Sequence, residues 1–181
     1  MEQLTEILCQ ATAAIGDAYF RLPIHGHSSV YRERVYCYEL YHQMRLRWPC
    51  DSPYRLNGEV DKSAHTYFEG ADSGKPKPDL LVHQPGTDQY NHAVIEVKNV
   101  CGQDIQKDLE TLSLFRTGFK TGRGCERAIF LIYGNGDQAD TARARIQCCA
   151  NKIANLAAIE LWLHPATLAS ARRVMMLGAP N

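Results

Sequence analysis

The chain has 181 residues, 45% of them hydrophobic and 22% charged, which is ordinary globular usage and excludes a disordered or fibrous protein. Its 20 basic and 20 acidic residues cancel, so whole-molecule charge gives no argument for nucleic acid, and any such binding must come from a local patch. Seven cysteines without a C-x-x-C pair argue against a disulfide framework or a zinc site and suit a reducing cytoplasm.

The N-terminal segment lacks a cleavable apolar core and no apolar run approaches a membrane span, so the expectation is a cytoplasmic protein with no membrane partner. The length suits one domain over residues 1–181. Residues 3–20 carry Leu4, Ile7, Leu8, Ala11 and Ile15 at helical spacing and predict one amphipathic helix. Pro23 and Gly26 break the pattern, and a second helix runs from about residue 30 to Pro49. A short strand is expected at 55–62 and a strand fragment soon after it, followed by strands at 78–84 and 92–100. A helix over 102–119, a buried strand at 125–134, a long helix over 135–158 and a strand at 159–165 complete the pattern. The tail reads as a short helix or irregular. The fold class is α/β, a mixed sheet flanked by helices in the order α-α-β-β-β-α-β-α-β.

The 78–100 segment places charge where a buried hairpin should not want it. Asp79 opens its first apolar run, and Glu96 and Lys98 interrupt the second. Pro85, Gly86 and Asp88 supply turn chemistry between the runs. An antiparallel hairpin symmetric about the Thr87–Asp88 bond sets Asp79 opposite Glu96, on one face with Lys98, while Leu80, Val82, Ile95 and Val97 fill the other. Two adjacent carboxylates repel unless a cation lies between them. Mg²⁺ or Mn²⁺, with oxygen ligands from Asp79, Glu96 and the Val97 carbonyl, answers that need, and Lys98 then holds a metal-bound water. The alternative for the same residues is a cross-strand ion pair on a half-exposed face.

This Pro78-Asp79 followed by Glu96-Val97-Lys98, with a helix and a strand after it, resembles the PD-(D/E)XK nuclease superfamily over roughly residues 30–135. The resemblance implies a restriction-endonuclease-like α-β-β-β-α-β core, here with an N-terminal helix and a C-terminal helix-strand extension. It also implies hydrolysis of phosphodiester bonds, of DNA before RNA, with Asp79 and Glu96 as metal ligands and Lys98 positioning the water. A catalytic glutamate from the preceding helix is expected, with Glu39 preferred to Glu33 because arginines flank Glu33; Glu59 and Lys107 are further candidates. A non-catalytic module of the same fold, binding nucleic acid or a protein, is the competing function.

Two surface features complete the expectations. The glycine-rich loop carrying Arg116, Lys120, Arg123 and Arg127 is a basic grip for phosphates beside the site. The strand at 159–165, if it lies at the sheet edge, offers a surface for homodimer pairing.

Overall fold

A computed structural model describes residues 3–59, 77–87, 90–118 and 123–178. It opens with helices α1 (Leu4–Thr12) and α2 (Asp17–Phe20), then strands β1 (Leu22–Ile24) and β2 (His27–Val30). Helix α3 (Glu33–Leu46) and strands β3 (Arg55–Gly58), β4 (Leu80–His83) and β5 (Asn91–Asn99) follow. Helix α4 (Ile105–Thr117), strand β6 (Arg127–Tyr133), helix α5 (Ala139–Ala150) and strands β7 (Ile159–His164) and β8 (Arg172–Leu177) complete the chain.

Strands β3 to β8 form one mixed sheet in chain order. Strands β5, β6 and β7 are parallel at its centre, with antiparallel neighbours on both sides. The parallel strands read as near-continuous apolar runs because helices cover both of their faces. Leu80, Val82, Ile95, Val97, Ile129 and Leu131 pack towards α1 and α3. Leu81, Val94, Phe130 and Ile132 pack towards α4 and α5 on the other side. None of the described helices is long and apolar enough to cross a membrane, and all seven cysteines are free thiols.

Several expectations change. The first helix divides because Thr12 turns its hydroxyl back to the Leu8 and Cys9 carbonyls and accepts the Ala171 amide, ending α1 four residues before Gly16 starts α2. The segment around Gly26 (φ 74°) is a small hairpin, β1–β2, rather than a plain loop. The long helix expected at 135–158 is a 3₁₀ turn over Gly136–Gln138 followed by the shorter α5. The tail forms β8, which pairs with β7. Strand β7 is therefore interior, and the edge proposed for a homodimer does not exist there. The strand fragment expected beyond residue 62 lies outside the described residues.

Candidate active site

The β4–β5 register pairs Leu80 with Ile95, Leu81 with Val94 and Val82 with Ala93. One step further, the same register brings Asp79 to Glu96. The ladder slips by one residue only near the turn, where His83 pairs with Asn91. β4 begins only at Leu80, so the antiparallel β5 runs on past it with one side unpaired.

Asp79 takes the vacated place. Its Oδ2 accepts the Val97 amide at 2.8 Å, while its carbonyl accepts the amide of Glu59, a residue in left-handed backbone (φ 42°). The amide and carbonyl of one strand residue point the same way. The Val97 carbonyl therefore also faces the side that β4 leaves open, not β6.

Glu96 is buried and shares a hydrogen bond with Asp79. Burial, and then the neighbouring Asp79 and Asp108 charges, push the Glu96 carboxyl well above the usual range. Burial also raises Asp79, although the Val97 amide, the Glu96 hydrogen bond and Lys98 oppose it. The two carboxyls are thus held close together, with Glu96 pushed further up than Asp79.

Lys98 leans away from the pair. Its Nζ lies 2.9 Å from Asp108 Oδ2 and 3.5 Å from Glu33 Oε2. Burial works to lower the ammonium pKa, but the Asp108 and Glu33 carboxylates outweigh it and raise the group on balance. Lys98 is therefore a fixed cation and donor rather than a base. Asp108 itself is pushed up to about 6 by burial, with Lys98 holding it down.

The helix glutamate at this site is Glu33, not Glu39. Glu33 is the first residue of α3, and its Oε1 accepts the Asn99 side-chain amide at 2.7 Å and the Asn99 backbone amide at 3.3 Å. Glu39 lies nearly two turns further along and accepts from Gln43 at 2.7 Å instead. The flanking Arg32 and Arg34 are exposed, but a side chain in the first turn reaches the strand end regardless. Glu59 is exposed and pairs with Arg34 at 3.4 Å. Lys107 is exposed; its neighbour Asp108 is the α4 residue that meets Lys98. Asp108 carries a signal in the sequence, a charge beside the Ile105–Leu109–Leu112 stripe that faces the sheet.

The described residues of the basic loop are not beside this site. Arg127 is level with Ala93, five residues from Lys98, or about 16 Å along the strand at the opposite end of β5. Arg127 makes a two-pronged bond to Glu160 at 2.7 and 2.8 Å, and Arg116 donates to the Cys125 carbonyl. Arg123 is exposed and Lys120 lies outside the described residues. His25 and His27 are exposed at the β1–β2 turn.

Among the described residues, no group of three or more histidine, cysteine, aspartate or glutamate side chains is disposed to hold a metal ion. Two carboxylates with one strand carbonyl and solvent nevertheless fit Mg²⁺, which keeps several waters and takes one or two carboxylates rather than a closed protein cage. The close approach of Asp79 and Glu96, which raises the Glu96 carboxyl, marks the point where positive charge is wanted. The chain matches no family model, no curated protein and no solved structure with which it was compared.

Proposed function

We propose that this protein is a metal-dependent nuclease that hydrolyses phosphodiester bonds, with Asp79, Glu96 and the Val97 carbonyl holding Mg²⁺ or Mn²⁺. One arrangement carries the reading: two carboxylates held together at the mouth of an interrupted ladder, two residues from a lysine kept charged. When bound, the cation supplies a water of lowered pKa and offsets charge on the phosphorus oxygens. Asp79 is aimed by the Val97 amide, which fixes where its second oxygen points. Lys98, as an ammonium, orients a water or a non-bridging phosphate oxygen and does not accept a proton. Glu33 and Asp108 hold the lysine at the end of β5. DNA ranks before RNA because most proteins of the superfamily that the motif resembles act on DNA.

The ion pair between Lys98 and Asp108 favours a second reading, a module of the same fold that binds without cleaving, since it engages the lysine elsewhere. Cleavage of plasmid, linear duplex and single-stranded DNA in Mn²⁺, wild type beside Lys98→Ala, decides between them. Cleavage by the wild type with loss in the variant is the expected result. Equal cleavage by both rejects the site, and a folded wild type with no detectable Mn²⁺ binding by calorimetry supports the binding module.

A further inference from the structure

The C-terminal ends of the parallel strands hold a second feature beside the cluster. Register carries the edge of the sheet from Asn99 to Tyr133 on β6 and on to His164 on β7. Beyond that edge lies a groove of ≈ 500 Å³ lined by Arg21, His27, Ser29, Asn135 and Thr167, together with one carboxylate, the exposed Asp17. In open α/β sheets, ligands favour this end of the strands.

Arg21 is the notable group. Its Nη2 donates to the Ser29 carbonyl at 3.0 Å, and its guanidinium carbon sits 5.1 Å from the centre of the Tyr31 ring. Its Nε is buried and finds no hydrogen-bond partner among the described residues. No ion pair is formed by Arg21 with a described carboxylate, Asp17 one turn away included. A half-buried arginine fixed by a carbonyl and a ring, with no carboxylate partner among the described residues, is a preorganised receptor for an oxyanion.

Tyr31 links the groove to the cluster. Its ring lies under Arg21, its hydroxyl accepts the Asn135 amide at 3.0 Å, and two residues later Glu33 binds Asn99. Hydroxyl, amide and imidazole groups on Ser29, Asn135 and His27 suit phosphate oxygens and offer no closed cage for a metal, while the Thr167 hydroxyl donates to the Ile15 carbonyl.

We infer that this groove binds a backbone phosphate of the nucleic-acid strand, next to the phosphodiester held at the Asp79–Glu96 cluster. The inference rests on the nuclease reading for its ligand, yet its test does not depend on cleavage. Arg21 supplies the fixed positive charge, and the exposed His27 supplies an imidazole at the groove lining.

The test is fluorescence anisotropy of a labelled 20-nucleotide single strand and the matching duplex in EDTA, where no cleavage occurs. Four proteins are compared over a salt series: wild type, Arg21→Ala, Arg21→Lys and His27→Glu. The exposed His27 keeps the test valid if the arginine variants fold poorly. Arg21→Ala is expected to raise Kd roughly tenfold and to lower the salt slope by about 1, with His27→Glu also weaker and Arg21→Lys intermediate. Wild-type affinity in every variant overturns the groove, whatever the cleavage assay shows. Weakened binding together with no metal-dependent cleavage keeps the groove and rejects the nuclease reading. No binding by the wild type, with inorganic phosphate also failing to shift its melting temperature, overturns the groove as an anion site.

Discussion

Asp79 replaces a ladder residue for Val97. The strand that should pair with the end of β5 has stopped, and a carboxylate oxygen accepts the amide that a carbonyl would otherwise take, at 2.8 Å. The substitution accounts for one of the two acids inside an apolar hairpin, which completes the sheet, while burial and its neighbour's charge hold the other well above the usual carboxyl range. A half-buried carboxylate that accepts a backbone amide is a poor candidate for a casual surface ion pair.

The first prediction concerns the Glu96 carboxyl. Because burial holds Glu96 well above the ordinary carboxyl range, a cation that needs the charged form must displace a proton. Mn²⁺ affinity should rise as pH increases through the raised Glu96 value, with proton release that calorimetry detects by repeating the titration in buffers of different ionisation enthalpy. Asp79→Asn should abolish the binding. An affinity independent of pH would mean that the metal does not sit on this pair.

Stability should carry a related signature from Asp108. Its folded value, about 6, exceeds the ordinary 3.8, so the folded state binds the proton more tightly. That stabilisation is complete below about 3.8 and is lost as pH rises through about 6, a change on the order of 2–3 kcal/mol. His164 acts the other way. Burial lowers it from 6.5 to about 4, so its contribution is present above 6.5 and is lost as pH falls through about 4. The wild-type profile mixes the two. Urea unfolding of wild type and Asp108→Asn from pH 4 to 7 separates them: the variant should gain on the wild type as pH rises, and parallel curves would count against the Asp108 assignment.

The legible and illegible parts of this site have different physical origins. The pairing of Asp79 with Glu96 is readable because a strand has a period of two and a turn fixes the register, and three of the four β4–β5 pairs keep that register. The helix acid is not readable in the same way. Helical spacing says which residues share a face, but Glu33 reaches Asn99 because of where α3 begins relative to the end of β5, a tertiary fact. Strand β8 escapes notice since half of it is exposed, only one residue is fully buried, and its sequence, rich in methionine and arginine, carries little alternation. The basic loop misleads because clustered charges say nothing about which end of the sheet they occupy, nor that Arg127 is committed to Glu160.

Gly102 offers a probe of the lysine that leaves every charge in place. A Cβ added there meets Lys98 Cγ and Cδ, so the stem must move from its place between Asp108 and Glu33. Gly102→Ala should therefore lower the cleavage rate by roughly 100-fold, the scale of a misplacement of about 1 Å, while Mn²⁺ affinity stays close to wild type. Single-turnover rates at saturating metal measure this. An unchanged rate would show that the lysine's exact position is irrelevant to turnover.

The stacked pair Tyr36 and Tyr133 supplies a control on how the core beneath the site is held. Their rings lie 3.8 Å apart and nearly parallel, both fully buried, yet the hydroxyls have different fates. Tyr36 shares a hydrogen bond of 2.7 Å with His164 Nδ1, while the Tyr133 hydroxyl finds no partner among the described residues. Removing a made bond strands the other partner and costs about 1–3 kcal/mol, whereas removing an unpaired buried hydroxyl relieves a desolvation cost. Tyr36→Phe should therefore destabilise the protein, and Tyr133→Phe should leave it unchanged or more stable, in urea unfolding at pH 7 with a common m-value. Burial raises the Tyr133 phenol and the nearby Glu33 charge adds to it, so any stabilisation by Phe arises without loss of an ionised group. A loss above about 1 kcal/mol in Tyr133→Phe would mean that this hydroxyl has a partner after all. Glu33 would be the first to test, which would tie the floor of the core directly to the acid that steadies Lys98.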